Sequence, residues 1–295
     1  MDYDVIIIGG SYAGLSAGLQ LARARRKVLV IDAGQRRNRY AAHSHGFLTQ
    51  DGKPPAQIAS EGRAQLMRYA TVQWLDGLAA QARPVAGGFQ VVLQQGTVHT
   101  AQRLILAAGV EDELPDLPGL AQRWGRHVFH CPYCHGYELQ QGPIGALAVS
   151  AISLHQALML PDWGPTTLFL NGAFEPDAEQ QTQLRARDVR VEPGAVARLD
   201  GAAVDVVMQD GRVFALAGLF VATRVRPGVL AAQLGCELEE GPLGPYVKAD
   251  PVRATSVPGV FACGDLARPA GSVALAVGDG AMAGAAAHRS LMFGL

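Results

Sequence analysis

Residues 4–32 read DVIIIGGSYAGLSAGLQLARARRKVLVID, and this stretch decides the fold. Val5 to Ile8 make an unbroken apolar run that ends in glycine, the pattern of a strand buried on both faces. LSAGLQLARARR spaces its apolar residues by three and four, which predicts a helix, and KVLVID predicts a second buried strand. Together they form a βαβ unit of a parallel sheet, with a right-handed crossover. The turn GGSYAG at 9–14 lies directly after the first strand and opens the helix, where a dinucleotide loop must sit. Gly9 permits the tight turn, Gly14 lets helix and strand approach, and Ser11 stands at the usual middle glycine, still small enough for a pyrophosphate to come close. Asp32 ends the second strand about 20 residues past the loop, where an acid binds an adenosine ribose hydroxyl. An acid there disfavours a 2'-phosphate, so the expected ligand is FAD or NAD rather than NADP. The plainer alternative is a tight turn in an α/β fold without a ligand.

Outward from this unit, a length of 295 residues implies two domains or one large α/β domain. A hydrophobic fraction of 49% supplies a core, and a net charge of -1 with no block of like charge gives no footprint for nucleic acid or an anionic membrane. Small molecules or other proteins are the expected partners. The start MDYDVIIIGG has neither a basic segment nor a long apolar one, and no apolar run approaches the ~20 residues a spanning helix needs. A cytoplasmic protein is expected. Four cysteines do not make a secreted disulfide scaffold.

Further along, LILAAG at 104–109 and VFACGD at 260–265 are each an apolar strand ending in glycine. The pair Gly264 and Asp265 can offer a carboxylate and an N–H to a ribityl chain, and the following helix can aim its N-terminus at the pyrimidine end of a flavin. In this order with the first loop, Ala108–Gly109 and Gly264–Asp265 favour FAD. A weaker βαβ pattern fills 144–171 as IGALAV, SAISLHQALML and TTLFLN, and 189–222 reads as short strands of a small sheet. Connectors rich in Gly and Pro near 111–119 and 239–251 divide the chain. The expected architecture is a discontinuous α/β Rossmann-like FAD domain, 1–110 with 245–295, and an inserted second Rossmann-like domain, 111–244.

The inserted segment opens near CPYCHGYE, 131–138. His127, His130, Cys131, Cys134 and His135 are all competent zinc ligands, but structural zinc needs a second ligand pair, and no further Cys-x-x-Cys or His-x-x-x-His occurs. An inert structural pair is another alternative. The redox reading has a physical basis: a two-residue gap at a helix start lets both sulfurs share one turn and favours the thiolate, and Pro132 suits that first turn. His135 can take or return a thiol proton, since imidazole titrates near neutral pH. Its alternative is a helix-surface histidine.

The order GGSYAG, LILAAG, CPYCHG and VFACGD resembles the low-molecular-weight thioredoxin reductase class of flavoproteins over nearly the whole chain, and the histidine after the second cysteine resembles most the branch of gliotoxin-type dithiol oxidases and their bacterial relatives. The resemblance implies that Cys134 faces the flavin, that Cys131 exchanges with substrate, and that His135 stands at the acid–base position where typical reductases carry Asp. It extends the candidate cofactor contacts to Tyr12, Ala13, Ala33, Arg37, Asn38, His45 and Val273, and it implies a homodimer. The departure lies in the second βαβ unit, where such reductases hold NADPH on a glycine-rich turn. Here Ser150, Ala151 and Ile152 fill the turn, and Asn171 replaces an acid or arginine pair at the strand end. The expectation is a degenerate NADPH site and oxidation of a small dithiol, with electrons passing through the pair to FAD and on to dioxygen or another acceptor. The alternatives are a reductase fed by NADPH or a ferredoxin-type donor and acting on a small disulfide or redox protein, or a flavin-bearing redox sensor without turnover.

Overall fold

A computed structural model describes residues 1–294. The chain divides into two compact units, one of Met1–Arg39, Pro54–Glu111 and the segment from Val225 onward, the other of Tyr40–Lys53 and Asp112–Arg224.

The first unit begins with β1 (Tyr3–Ile8), α1 (Tyr12–Arg23) and β2 (Val28–Asp32), the predicted βαβ unit, followed by α2 (Pro55–Leu66) and β3 (Val72–Asp76). β4 (Ala79–Val85), β5 (Gly88–Leu93) and β6 (Val98–Leu106) form an antiparallel meander on the same sheet. The strand order is β3-β2-β1-β6-β5-β4, and β1 pairs in parallel with both β2 and β6. Period-two alternation sends Ile6, Ile8, Leu29, Ile31, Leu104 and Leu106 to one core, while Val5, Ile7, Val30 and Ile105, equally buried, lie on the other face. This is why the run Val5–Ile8 is apolar throughout.

In the second unit, β7 (Val128–Phe129), the short helix α3 (Pro132–His135), β8 (Ile144–Leu147), α4 (Ser153–Met159), β9 (Thr166–Phe169) and β10 (Arg190–Glu192) follow in order. β11 (Val196–Asp200), β12 (Val204–Met208) and β13 (Val213–Leu216) form a separate antiparallel meander, and β14 (Gly218–Val221) enters the parallel sheet, ordered β10-β9-β8-β14-β7. The parallel sheet is buried on both faces. Ile144 and Ala146 pack with Ala157 and Leu160, whereas Leu147 and Phe169 pack with Val204, Val206 and Met208 of the meander.

The chain rejoins the first unit at Val225 rather than at 245. Leu230, Ala231, Leu234 and Cys236 bury in the core with Ala79, Ala82, Val91 and Leu93, and Gln233 Oε1 accepts from the Ala82 N–H at 3.0 Å. The segment Tyr40–Lys53, expected within the FAD domain, clusters instead with the second unit. β15 (Val260–Ala262) then pairs in parallel with the end of β6, and α5 (Val273–Phe293) closes the first unit. A Cβ on Gly280 or Gly284 of α5 would overlap the carbonyl oxygens of Ala13 and Ala17, so glycine at both positions lets α5 lie directly on α1. Asp279, 1% exposed, accepts from Arg268 Nη2 at 2.7 Å and fastens the segment after Asp265 to α5.

Candidate functional site

In the first unit the candidate cofactor residues gather at the carboxyl ends of the parallel strands, where ligands bind in open α/β sheets. Gly9, Ser11, Tyr12, Ala13 and Gly14 follow β1, Asp32 and Ala33 end β2, Ala108 and Gly109 follow β6, and Gly264 and Asp265 follow β15. Gly9 takes φ +105, and a Cβ there would overlap the Ala107 carbonyl; one on Gly14 would overlap the Gly9 carbonyl oxygen. Asp32 Oδ1 accepts from the Gly10 N–H at 3.0 Å, tying the loop to the end of β2. The N–H groups of Ser11, Tyr12, Ala13 and Gly14 meet no protein acceptor among the described residues, leaving a ring of donors at the start of a twelve-residue helix. Asn38 Nδ2 donates to the Tyr12 hydroxyl at 3.0 Å, and Arg37 pairs with Asp265 at 3.0 Å. Val273 opens α5, whose cap Ser272 accepts from the Leu275 N–H at 3.2 Å. Free donors, a loop without room for side chains and an acid at the strand end fit the pyrophosphate and ribose of FAD.

The second unit repeats the βαβ pattern without these features. Ser153 Oγ, fully buried, accepts from the Val149 N–H at 3.1 Å. The N–H groups of Ser153, Leu154 and His155 are taken by the carbonyls of Ser150, Ala151 and Ile152 at 3.1 to 3.2 Å. The N–H groups of Val149 and of the first three α4 residues are therefore used inside the turn, and none of its residues has a positive φ. At the end of β9, Asn171 accepts from the Val196 N–H at 2.8 Å and so serves the fold.

The dithiol lies in the same unit. Cys131 caps α3 in extended conformation, Pro132 takes the first helical position, and the Cys134 N–H donates to the Cys131 carbonyl at 3.3 Å. The two sulfurs, both half-buried, are 2.7 Å apart. Cys236 and Cys263 are buried with their thiols pushed up, Cys263 to about 12 by complete desolvation and then by the nearby Asp279 carboxylate, so neither competes as a thiolate. Among the described residues no group of three or more His, Cys, Asp or Glu is placed to hold a metal ion.

His135 stacks on Phe129 with ring centroids 4.3 Å apart, which fixes the plane of the imidazole. Desolvation, and then the charge of the nearby His45, lower its pKa from 6.5 to about 4. At neutral pH the ring is thus uncharged, and too weak a base to hold a thiol proton at equilibrium. His45, a candidate cofactor contact from the sequence, is found in the dithiol's unit, between Glu138 at 3.5 Å and Asp51 at 3.6 Å. Sequence reasoning missed Phe129 as the stacking partner of His135, and Asp51 and Glu138 as the surroundings of His45. Glu138 does fall in the quoted CPYCHGYE, but only the fold brings loop 40–53 to it.

The shifted His135 gives a signed prediction. Its folded pKa lies below its unfolded value, so between pH 6.5 and about 4 the unfolded chain binds the extra proton. Its contribution to stability is complete above that window and is lost as pH falls through it. His135→Asn, which does not titrate, is expected to remove about 3 kcal/mol of the acid-side fall in stability. Melting temperatures of both chains from pH 4 to 8 measure this, and parallel curves would show that His135 is not the group responsible.

A doubly wound dinucleotide unit joined to a unit bearing a Cys-x-x-Cys dithiol defines a flavin-type oxidoreductase acting on sulfur groups. The family described as pyridine nucleotide-disulphide oxidoreductase matches residues 3–283, and the chain belongs to it. Thioredoxin reductase tcpT of Claviceps purpurea is 35% identical over 98% of this chain and 94% of its own length. The crystal structure of an oxidoreductase from Agrobacterium tumefaciens superposes with a TM-score of 0.96 at 59% identity, covering 99% of both chains. That of HlmI has a TM-score of 0.91 at 36% identity, covering 98% of this chain and 92% of its own. Among the described residues no helix is long and apolar enough to cross a membrane.

Proposed function

We propose that this protein oxidises a small dithiol through Cys131 and Cys134 without using NADPH. The observation that carries the reading is the β8–α4 turn, where Ser150, Ala151 and Ile152 stand in place of glycines, no residue has a positive φ, and the N–H groups of Val149 and of the first three α4 residues bond within the turn. A substrate thiolate attacks the Cys131–Cys134 disulfide at Cys131, forming a mixed disulfide and releasing Cys134 as thiolate. The second substrate thiol then displaces Cys131, so the substrate leaves as a disulfide and the enzyme holds two thiols. His135, next to Cys134 in the chain, passes the proton of the attacking thiol on to solvent rather than holding it. FAD, held by Gly9 to Gly14, Asp32, Gly109, Gly264 and Asp265, would supply the two-electron acceptor that returns the pair to its disulfide, with dioxygen or another oxidant as final acceptor. The working protein is proposed to be a cytoplasmic homodimer, with residues of the first unit on FAD and those of the second on the substrate.

A second reading, disulfide reduction driven by NADPH or a ferredoxin-type donor, is favoured by the name thioredoxin reductase carried by the relatives. Anaerobic titration of the purified flavoprotein separates the two. Dithiothreitol is expected to bleach the visible flavin band, NADPH is expected to leave it unchanged, and admitted air restores the colour. Prompt bleaching by NADPH would overturn the oxidase reading and make the protein a reductase with an unusual turn.

A further inference from the structure

Helix α4 touches the dithiol segment through a side chain that belongs to no motif. Gln156, one turn into α4, is only 7% exposed, and its Nε2 donates to the main-chain carbonyl of His130 at 2.8 Å. His130 directly precedes Cys131. The ladder of β7 ends one residue earlier, with Phe129 opposite Phe220, so this bond takes over where the sheet stops holding the chain. Beyond it the main chain is held by local turns, Cys134 N–H to Cys131 carbonyl at 3.3 Å and Gly136 N–H to Pro132 carbonyl at 2.7 Å. Gln156 Oε1, in contrast, is enclosed and meets no hydrogen-bond donor among the described residues. A buried amide oxygen without a donor is destabilising, and an apolar side chain of the same length would avoid that cost. Packing alone therefore does not account for an amide here.

We propose that Gln156 is a positioning residue for the dithiol: by fixing the His130 peptide it orients Cys131, and so sets the equilibrium between the dithiol and the disulfide. A disulfide demands a narrow arrangement of its two Cβ atoms, whereas two thiols do not. Releasing the His130 carbonyl lets Cys131 rotate, which favours the reduced pair. The inference concerns the pair itself and stands for either direction of turnover.

The test is anaerobic equilibration of the holoenzyme with mixtures of reduced and oxidised glutathione, with free thiols trapped by alkylation and counted by mass. In this exchange the enzyme dithiol and one oxidised glutathione give the enzyme disulfide and two reduced glutathiones. Gln156→Met is expected to shift the equilibrium constant about tenfold toward the dithiol and to move the pH profile of Cys131 alkylation, with flavin content retained. Gln156→Glu keeps the length and loses the donor. Its equilibrium constant is expected to depart from wild type at pH 8 and to return toward it on acidification, because a protonated carboxyl again donates to His130. If Gln156→Met does not fold, Gln156→Glu decides the matter in the same assay. Variants that fold and match wild type within about twofold in both readouts overturn the proposal, as does a lowered melting temperature with both readouts unchanged.

Discussion

Replacing Cys134 by serine is expected to lower turnover on the order of 10³-fold or more while leaving the protein yellow. A serine hydroxyl cannot form the disulfide with Cys131 that the substrate attacks, and it is not ionised near neutral pH to pass electrons on as a thiolate does. Cys131→Ser should be equally inactive, but the two are distinguishable. If Cys131 is the exchanging sulfur, the lone thiol of Cys134→Ser attacks added oxidised glutathione, leaving a mixed disulfide on the enzyme and releasing one reduced glutathione, readable by mass, and Cys131→Ser does not. Cys236→Ala and Cys263→Ala are the controls, since both thiols are buried and held protonated. Substrate-dependent bleaching that survives in Cys134→Ser would place the reactive pair elsewhere.

The second large effect is expected at Gly14. A Cβ there overlaps the Gly9 carbonyl oxygen, which is backbone and cannot turn aside, so α1 must move away from the loop whose N–H groups are proposed to hold the pyrophosphate. Overpacking of this kind costs about 1 to 3 kcal/mol, and the same shift misaligns several donors at once. Gly14→Ala is expected to purify with less than about a tenth of the wild-type flavin, since each 1.4 kcal/mol is tenfold in affinity. Gly278→Ala, on α5 with open space around its would-be Cβ, should keep its flavin. Full occupancy in Gly14→Ala would mean that the cofactor does not depend on the close approach of α1 to the loop.

Much of the fold was legible because the decisive signals are local. The run Val5–Ile8, the three- and four-residue spacing of α1 and the acid at Asp32 each obey a backbone period or a ligand rule within some thirty residues, and β1-α1-β2 forms where they place it. The short strands expected over 189–222 also form, but β10 and β14 join the parallel sheet while β11, β12 and β13 make their own. No local pattern distinguishes those destinations, because partner choice depends on residues far along the chain. The same cause moved the return point from 245 to Val225: Leu230, Ala231 and Leu234 make barely one helical turn between glycines, and only the meander they cover reveals them as core. His45 shows the limit at the site. Its loop carries no periodicity, and its neighbours Glu138 and His135 lie about ninety residues away in sequence.

β6 carries a further consequence, for the order in which the chain is made. Its first half pairs with β5, but its second half, Leu104–Leu106, waits for Val260–Ala262 of β15. On the ribosome, everything from Asp112 to Arg224 emerges in the interval. The second unit therefore has its whole sequence available before the first can close its sheet, and it can fold while an apolar half-edge of β6 is still bare. A chain stopped short of β15 would hold a finished dithiol unit beside an unfinished flavin unit with an adhesive edge.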